Sequence, residues 1–160
     1  MTSRETNKVY TNEKIKEQVD IWKKQGKKIV FTNGVFDILH KGHIFSLLQA
    51  ADRGDVLIVG VNADSSVKKL KGDSRPINDQ DARALILASL SMVDGVVIFE
   101  EETPLNLINT ILPDILVKGG DYTVDQIAGA KEVIQNGGKV VLNPILDGYS
   151  TTAIINAINR

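Results

Sequence analysis

The chain has 160 residues, 42% hydrophobic and 24% charged, with a net charge of -1; this composition fits one globular domain burying about 70% of its unfolded surface. The balanced charge offers no basic footprint for DNA or RNA, and no apolar run approaches the length of a membrane span. The absence of cysteine excludes disulfides, zinc-thiolate sites and thiol nucleophiles, and the polar opening, Met1 to Tyr10, lacks the apolar stretch of a signal peptide, so a cytoplasmic chain is expected.

In chain order, Ile15, Val19 and Trp22 mark one face of a helix ending near Gly26. Residues 28–32 read as a short buried strand, stopped by Asn33-Gly34. Ile44, Leu47, Leu48 and Ala51 have helical spacing over 43–51. The run DVLIVGV, 55–61, is a second strand rich in β-branched residues. Residues 68–78 are polar, contain Gly72 and Pro76, and predict a surface loop. A helix is expected over 79–93 and a third strand at GVVIF, 95–99. Thr103-Pro104 predicts an N-cap with proline at the first helical position, opening a helix to Leu112. A fourth strand, 115–117, runs into Lys118-Gly119-Gly120-Asp121. A helix over 124–135 closes at Asn136-Gly137-Gly138, KVVL at 139–142 is the fifth strand, and Ser150 caps a last helix.

Short apolar strands alternating with helices imply an α/β fold: a doubly wound, Rossmann-like sheet of about five parallel strands with helices on both faces. No linker or repeat divides it. One domain over 1–160 is expected, with an N-terminal helical segment at 1–27 and the α/β core at 28–160. In such sheets ligands bind beyond the carboxyl ends of the strands, where strand order reverses.

The segment after the first strand is Thr32-Asn33-Gly34-Val35-Phe36-Asp37-Ile38-Leu39-His40-Lys41-Gly42-His43, and it holds both histidines of the chain. Gly34 allows a sharp turn and a close backbone approach; Gly42 keeps space open between the imidazoles at a helix start, where free N–H groups favour phosphate. Nucleotidyl transfer needs in-line geometry and neutralised phosphoryl charge rather than covalent help, which two imidazole N–H donors can supply. An arbitrary pair of histidines three apart is more often a surface or core feature. A shared metal is the other rival, but a closed zinc site needs about four ligands and only Asp37 is near, so no resident metal is expected. No G-x-G-x-x-G follows the first strand and no P-loop is present, which argues against a dinucleotide oxidoreductase.

The Thr32–His43 stretch resembles the hallmark of the cytidylyltransferase-like nucleotidyltransferases, relatives of class I aminoacyl-tRNA synthetases. Further segments, Gly60-Val61-Asn62-Ala63-Asp64, Leu70-Lys71-Gly72-Asp73-Ser74-Arg75-Pro76, Leu116-Val117-Lys118-Gly119-Gly120-Asp121-Tyr122 and Asp147-Gly148-Tyr149-Ser150-Thr151-Thr152, resemble the adenylyltransferase domain of ADP-heptose synthesis enzymes. The resemblance implies transfer of AMP from ATP, with Mg²⁺, onto D-glycero-β-D-manno-heptose 1-phosphate. A glycerol-3-phosphate cytidylyltransferase is the nearest alternative, and a nucleotide-binding regulatory module the non-enzymatic one. It further implies a dimer, and a separate sugar kinase, since many members carry that kinase ahead of this domain.

By the same resemblance, His40 and His43 contact the triphosphate and stabilise charge at the α-phosphorus, and Lys71 and Arg75 add cations. The backbone around Val35 and Phe36 lines the phosphate path, Asp37 braces the loop, and Asp121 holds base and ribose. Ser150, Thr151 and Thr152 meet the β- and γ-phosphates. Thr32, Asn33, Gly34, Gly42, Asn62, Asp64, Lys118 and Gly120 complete the expected nucleotide-binding set. The family often has a basic residue just before Ser-Thr-Thr; here Leu146-Asp147-Gly148-Tyr149 precedes it, leaving Arg75 or Lys118 for that role.

Overall fold

The computed structural model describes residues 7–160; the first six residues of the polar opening lie outside the described residues. The elements, in order, are β1 (Val9–Tyr10), α1 (Asn12–Lys24), β2 (Ile29–Gly34), α2 (Lys41–Ala51), β3 (Val56–Asn62), α3 (Asp64–Lys71) and α4 (Gln80–Ala88). Then follow β4 (Gly95–Phe99), α5 (Leu105–Ile111), β5 (Ile115–Gly119), a 3₁₀ turn (Val124–Gln126), α6 (Ala130–Gln135), β6 (Lys139–Asn143) and α7 (Thr151–Ile158).

The six strands form one sheet in the order β1-β4-β3-β2-β5-β6, and every pairing is parallel. From β2 the chain steps outward through β3 to β4. It then returns to the other side of β2 for β5 and β6, so strand order reverses between β2 and β5 and opens a crevice at their carboxyl ends. Central β3, VLIVGVN, is buried at every position, as a strand covered on both faces must be.

Alternate strand residues feed two cores. On one face Ile29, Phe31 and Ile58 pack with Ile15 and Val19 of α1 and with Leu107, Ile108 and Ile111 of α5. On the other, Val30, Leu57, Val59 and Val61 pack with Leu47 and Ala50 of α2 and with Ala84, Leu87 and Ala88 of α4. At the amino edge, away from the crevice, three aspartates staple neighbouring strands. Asp55 Oδ2 accepts from Lys28 N, Asp94 Oδ2 from Leu57 N and Asp114 Oδ2 from Ile29 N, each at 2.8 Å. These bonds satisfy backbone donors that the strand ends leave free.

Several expected elements shift. A sixth strand, β1, pairs Val9 with Val96 and Tyr10 with Val97 at the sheet edge; two residues in a polar opening carry too little periodicity to announce it. Residues 68–71 are the last turn of α3 rather than loop. That helix buries Ser66 and Val67 and places Lys68, Lys69 and Lys71 at its carboxyl end, where cations suit the helix dipole. The helix expected over 79–93 is α4, capped by Asp79 and ending at Ala88. The one expected over 124–135 is split, because Gly129 takes φ 84° and a Cβ there would meet Ile108 at 2.6 Å. α5 starts at Leu105 with Pro104 as N-cap and no side-chain cap, so Thr103 lies one residue outside. Ser150 Oγ accepts from Ala153 N at 3.0 Å at the head of α7.

Candidate functional site

β2 ends at Gly34, and residues 35–40 carry the chain to α2. Phe36 is held at φ 50°, a left-handed conformation that costs a bulky residue energy and persists where its surroundings enforce it. His40 is the extended N-cap of α2, and His43 sits one turn on. Their rings stack with centroids 3.7 Å apart and planes 23° apart, and the Phe36 ring meets His43 edge-on at 5.2 Å. Gly42 makes this possible. A Cβ there would lie 3.0 Å from the His40 ring and 3.2 Å from Tyr149 Cβ.

The Nδ1 atom of each histidine is buried without a partner. Burial pushes the His40 pKa down. His43 is pushed down to about 4, chiefly by burial and then by His40 beside it, with the Ile38 backbone carbonyl acting in the opposite direction. Both imidazoles are therefore neutral at physiological pH, each with one donor and one acceptor nitrogen.

Three cavities converge on Val35, which lines all of them. The histidine cavity, about 370 Å³, lies against His40, His43, Lys71, Arg75 and residues 150–152 at the head of α7. Thr151 Oγ1 donates to Ile38 O at 3.3 Å and ties that helix to the histidine loop. A second cavity of about 210 Å³ opens between β2 and β5, walled by Thr32, Asn33, Leu47, Val117, Lys118 and Asn143. The third, about 430 Å³, is bordered by Asn62, Lys71, Glu102, Thr103, Lys118 and Gln126. Lys118 is shared by the second and third cavities; burial lowers its pKa, and its ammonium lies 5.4 Å from the Tyr122 ring centroid.

Asp37, 2% exposed, accepts from Arg75 Nε at 2.6 Å and from the backbone N–H groups of Ile77 and Asn78 at 2.9 Å. Asn78 Nδ2 answers by donating to Asp37 O at 2.7 Å. Burial alone would raise the Asp37 pKa, but the Asn78 and Ile77 N–H bonds and the Arg75 guanidinium outweigh it and hold the carboxyl below its usual value. The loop carrying Arg75 is thereby fixed to the loop carrying the histidines.

The chain matches the cytidylyltransferase-like family over residues 31–157. It is 53% identical over 149 residues to the bifunctional protein HldE of Rhodospirillum rubrum, covering 93% of this chain and 30% of that protein. With the bifunctional protein HldE of Shigella flexneri serotype 5b it shares 55% over 152 residues, covering 95% and 32%. The chain thus spans about a third of the length of the curated relatives it matches. It belongs to the cytidylyltransferase-like family.

Among solved structures, a lipopolysaccharide core biosynthesis protein from Thermoplasma volcanium is 30% identical with a TM-score of 0.61, covering 78% of this chain and all of that one. A pantoate-beta-alanine ligase from Francisella tularensis, 18% identical, shares the fold at a TM-score of 0.61, covering 94% of this chain and 76% of that one.

Within this family member the remaining expected residues fall as follows. Gly34, Phe36, Asp37 and Gly42 sit on cavity walls around the histidines. Asp64 is drawn away: it starts α3 and pairs with Arg83 at 2.8 Å, lining none of the three cavities. Gly120 and Asp121 line an adjoining recess, which shares Tyr122 and Asn143 with the second cavity and Tyr122 and Gln126 with the third. Gly120 takes φ 108° in the turn between them.

Sequence reasoning did not single out Arg83, which is 1% exposed. Its Nε donates to Asn78 O at 2.9 Å, one Nη to Val35 O at 2.8 Å and Asn62 O at 2.7 Å, and the other to Asp64. One guanidinium thus ties together the ends of β2 and β3 and the loop before α4. A signal existed: Arg83 lies on the apolar stripe of α4 with Ala84, Leu87 and Ala88, where an arginine must find partners. Gln126 was not singled out either; it reaches the third cavity from the 3₁₀ turn.

Among the described residues no group of three or more His, Asp or Glu side chains could hold a metal ion. No helix among the described residues is long and apolar enough to cross a membrane.

Proposed function

We propose that the chain transfers AMP from ATP to D-glycero-β-D-manno-heptose 1-phosphate, giving ADP-heptose and pyrophosphate. The observation that carries this reading is the stacked His40–His43 pair at the head of α2, in the crevice where strand order reverses. The identity to bifunctional HldE proteins, and the likeness to a lipopolysaccharide core biosynthesis protein, support the sugar-phosphate acceptor.

The triphosphate lies in the histidine cavity, entering as its magnesium complex, with Mg²⁺ part of the substrate. Each imidazole, neutral at physiological pH, has one N–H that can donate toward the phosphate oxygens. A sugar phosphate oxygen attacks the α-phosphorus and forms the new P–O bond. The bond from that phosphorus to the bridging oxygen of the β-phosphate breaks, and pyrophosphate leaves with the electron pair. The attacking oxygen is already ionised, so no base is required, and no covalent enzyme intermediate forms. Imidazole donors act here by stabilising charge that grows on the α-phosphoryl oxygens.

Lys71 and the free Nη atoms of Arg75 add positive charge along the triphosphate, while Ser150, Thr151 and Thr152 offer hydroxyls and the N–H groups that begin α7. Thr32, Asn33, Gly34 and Lys118 hold the nucleoside end. Asp37 and Asp64 act through Arg75 and Arg83. Gly120 and Asp121 border the nucleoside end from the recess that shares Tyr122 and Asn143 with the second cavity. A kinase reaction must supply the sugar 1-phosphate, and we read the protein as a cytoplasmic dimer.

His40→Ala and His43→Ala should each lower turnover of ATP with heptose 1-phosphate by about two to three orders of magnitude, the scale of one lost transition-state donor. Circular dichroism should show the fold intact. A rate within a few-fold of the unmodified protein would refute the role.

A further inference from the structure

Of the polar residues of the third cavity that the mechanism above leaves unused, Glu102 is the one carboxylate. Beside Lys71 and Lys118, Glu102 brings a carboxylate to its wall. Glu102 is exposed at the rim of this cavity, so its carboxylate is hydrated when the cavity is open and is accessible to a ligand that enters. It is not consumed internally: the three ion pairs among the described residues do not include Glu102. Its neighbour Glu101 differs, accepting from Asn106 Nδ2 at 3.2 Å and lying outside the three cavities.

Position strengthens the case. Asn62 and Phe99 are register partners at the carboxyl ends of β3 and β4, so the loop after Phe99 brings Glu102 and Thr103 over the end of β3, facing the crevice from the side opposite β6. The cavity meets the histidine cavity at Val35 and Lys71, and the second cavity at Val35 and Lys118. The cavity thus offers two cations, shared with the neighbouring cavities, for a phosphate, and one carboxylate from the loop after β4 for the rest of a ligand. About 430 Å³ falls within the ~300–1,000 Å³ usual for small-molecule sites.

We propose that this cavity is the acceptor chamber and that Glu102 reads the sugar hydroxyls. A carboxylate accepts only, and with two oxygens it takes two neighbouring hydroxyl donors at once through charge-assisted bonds. The chamber thereby selects a polyhydroxylated sugar phosphate over a short polyol phosphate. This inference rests on the adenylyltransferase reading and adds to it the residue that sets acceptor specificity.

The test compares Glu102→Gln and Glu102→Ala with the unmodified chain and with Glu101→Gln. Steady-state kinetics use ATP with heptose 1-phosphate and with glycerol 3-phosphate, and calorimetry titrates heptose 1-phosphate directly. Glu102→Ala should raise the heptose 1-phosphate KM about tenfold or more, the scale of losing one charged hydrogen bond. Its calorimetric Kd should weaken in step, with the ATP KM within twofold and Glu101→Gln unchanged. Glu102→Gln, which keeps one acceptor oxygen, should fall between.

An acceptor KM and Kd within twofold in both Glu102 variants, with good turnover by the unmodified chain, would overturn the chamber and leave the activity standing. Glycerol phosphate as the better acceptor of the unmodified chain would overturn the heptose reading. The selectivity proposal would fall with it. Absence of any calorimetric binding of heptose 1-phosphate to the unmodified chain would overturn the proposal too.

Discussion

His43 shows what burial does to a single group. In the fold its pKa is pushed down to about 4, against about 6.5 in an unfolded chain. The folded state therefore disfavours the imidazolium. Below the unfolded pKa the unfolded chain binds a proton that the native chain does not, so stability falls as pH drops from about 6.5 toward 4 and levels off beneath that. His40 is shifted the same way by burial. We expect the denaturation midpoint to decline through this window, and His43→Asn, which cannot titrate, to flatten the decline. Urea melts at a series of pH values check it; parallel slopes for the two proteins would contradict it. The same burial makes His43 a neutral donor at pH 7, available to phosphate without a competing internal partner.

At the scale of elements, the site is an assembly of strand ends held by two buried charges. Asp37 gathers residues 75–78, and Arg83 gathers the ends of β2 and β3. Arg83 lies in the first turn of α4, which starts at the Asp79 cap, whose Oδ1 accepts from Ala82 N at 2.8 Å. Replacing Arg83 with methionine would keep apolar volume but strand three carbonyls and leave Asp64 unpaired. Each unsatisfied buried group costs about 1–3 kcal/mol. We expect a loss of about 3 kcal/mol in stability, read as a lower urea midpoint at unchanged slope. A change below about 0.5 kcal/mol would show that the guanidinium does not hold the loops. Lys71 and Arg75 are positioned by this framework, so even a folded Arg83 variant should lose substrate capture before it loses secondary structure.

Across the whole molecule, what the sequence disclosed follows from how local each feature is. β3 was legible because seven consecutive residues alternate between two buried faces, and the histidine segment because His40, Gly42 and His43 lie within one turn, a few residues after Gly34. α3 was not, since only Ser66 and Val67 of DSSVKKLK are buried and the remainder looks like a solvated loop. β1 was hidden for a related reason: Val9 and Tyr10 gain meaning only from pairing with β4, more than eighty residues later. The same distance concealed Arg83, which reaches the strand ends from an element far along the chain. A doubly wound sheet makes local chemistry readable at the first strand end and defers the rest to folding.

The account stands most directly on pyrophosphate release with Mg²⁺, measured for ATP and CTP, each paired with heptose 1-phosphate and with glycerol 3-phosphate. Release with ATP and heptose 1-phosphate alone is the predicted result. Release with CTP and glycerol 3-phosphate in its place would contradict the proposed reaction, and no release from any pairing would contradict catalysis altogether.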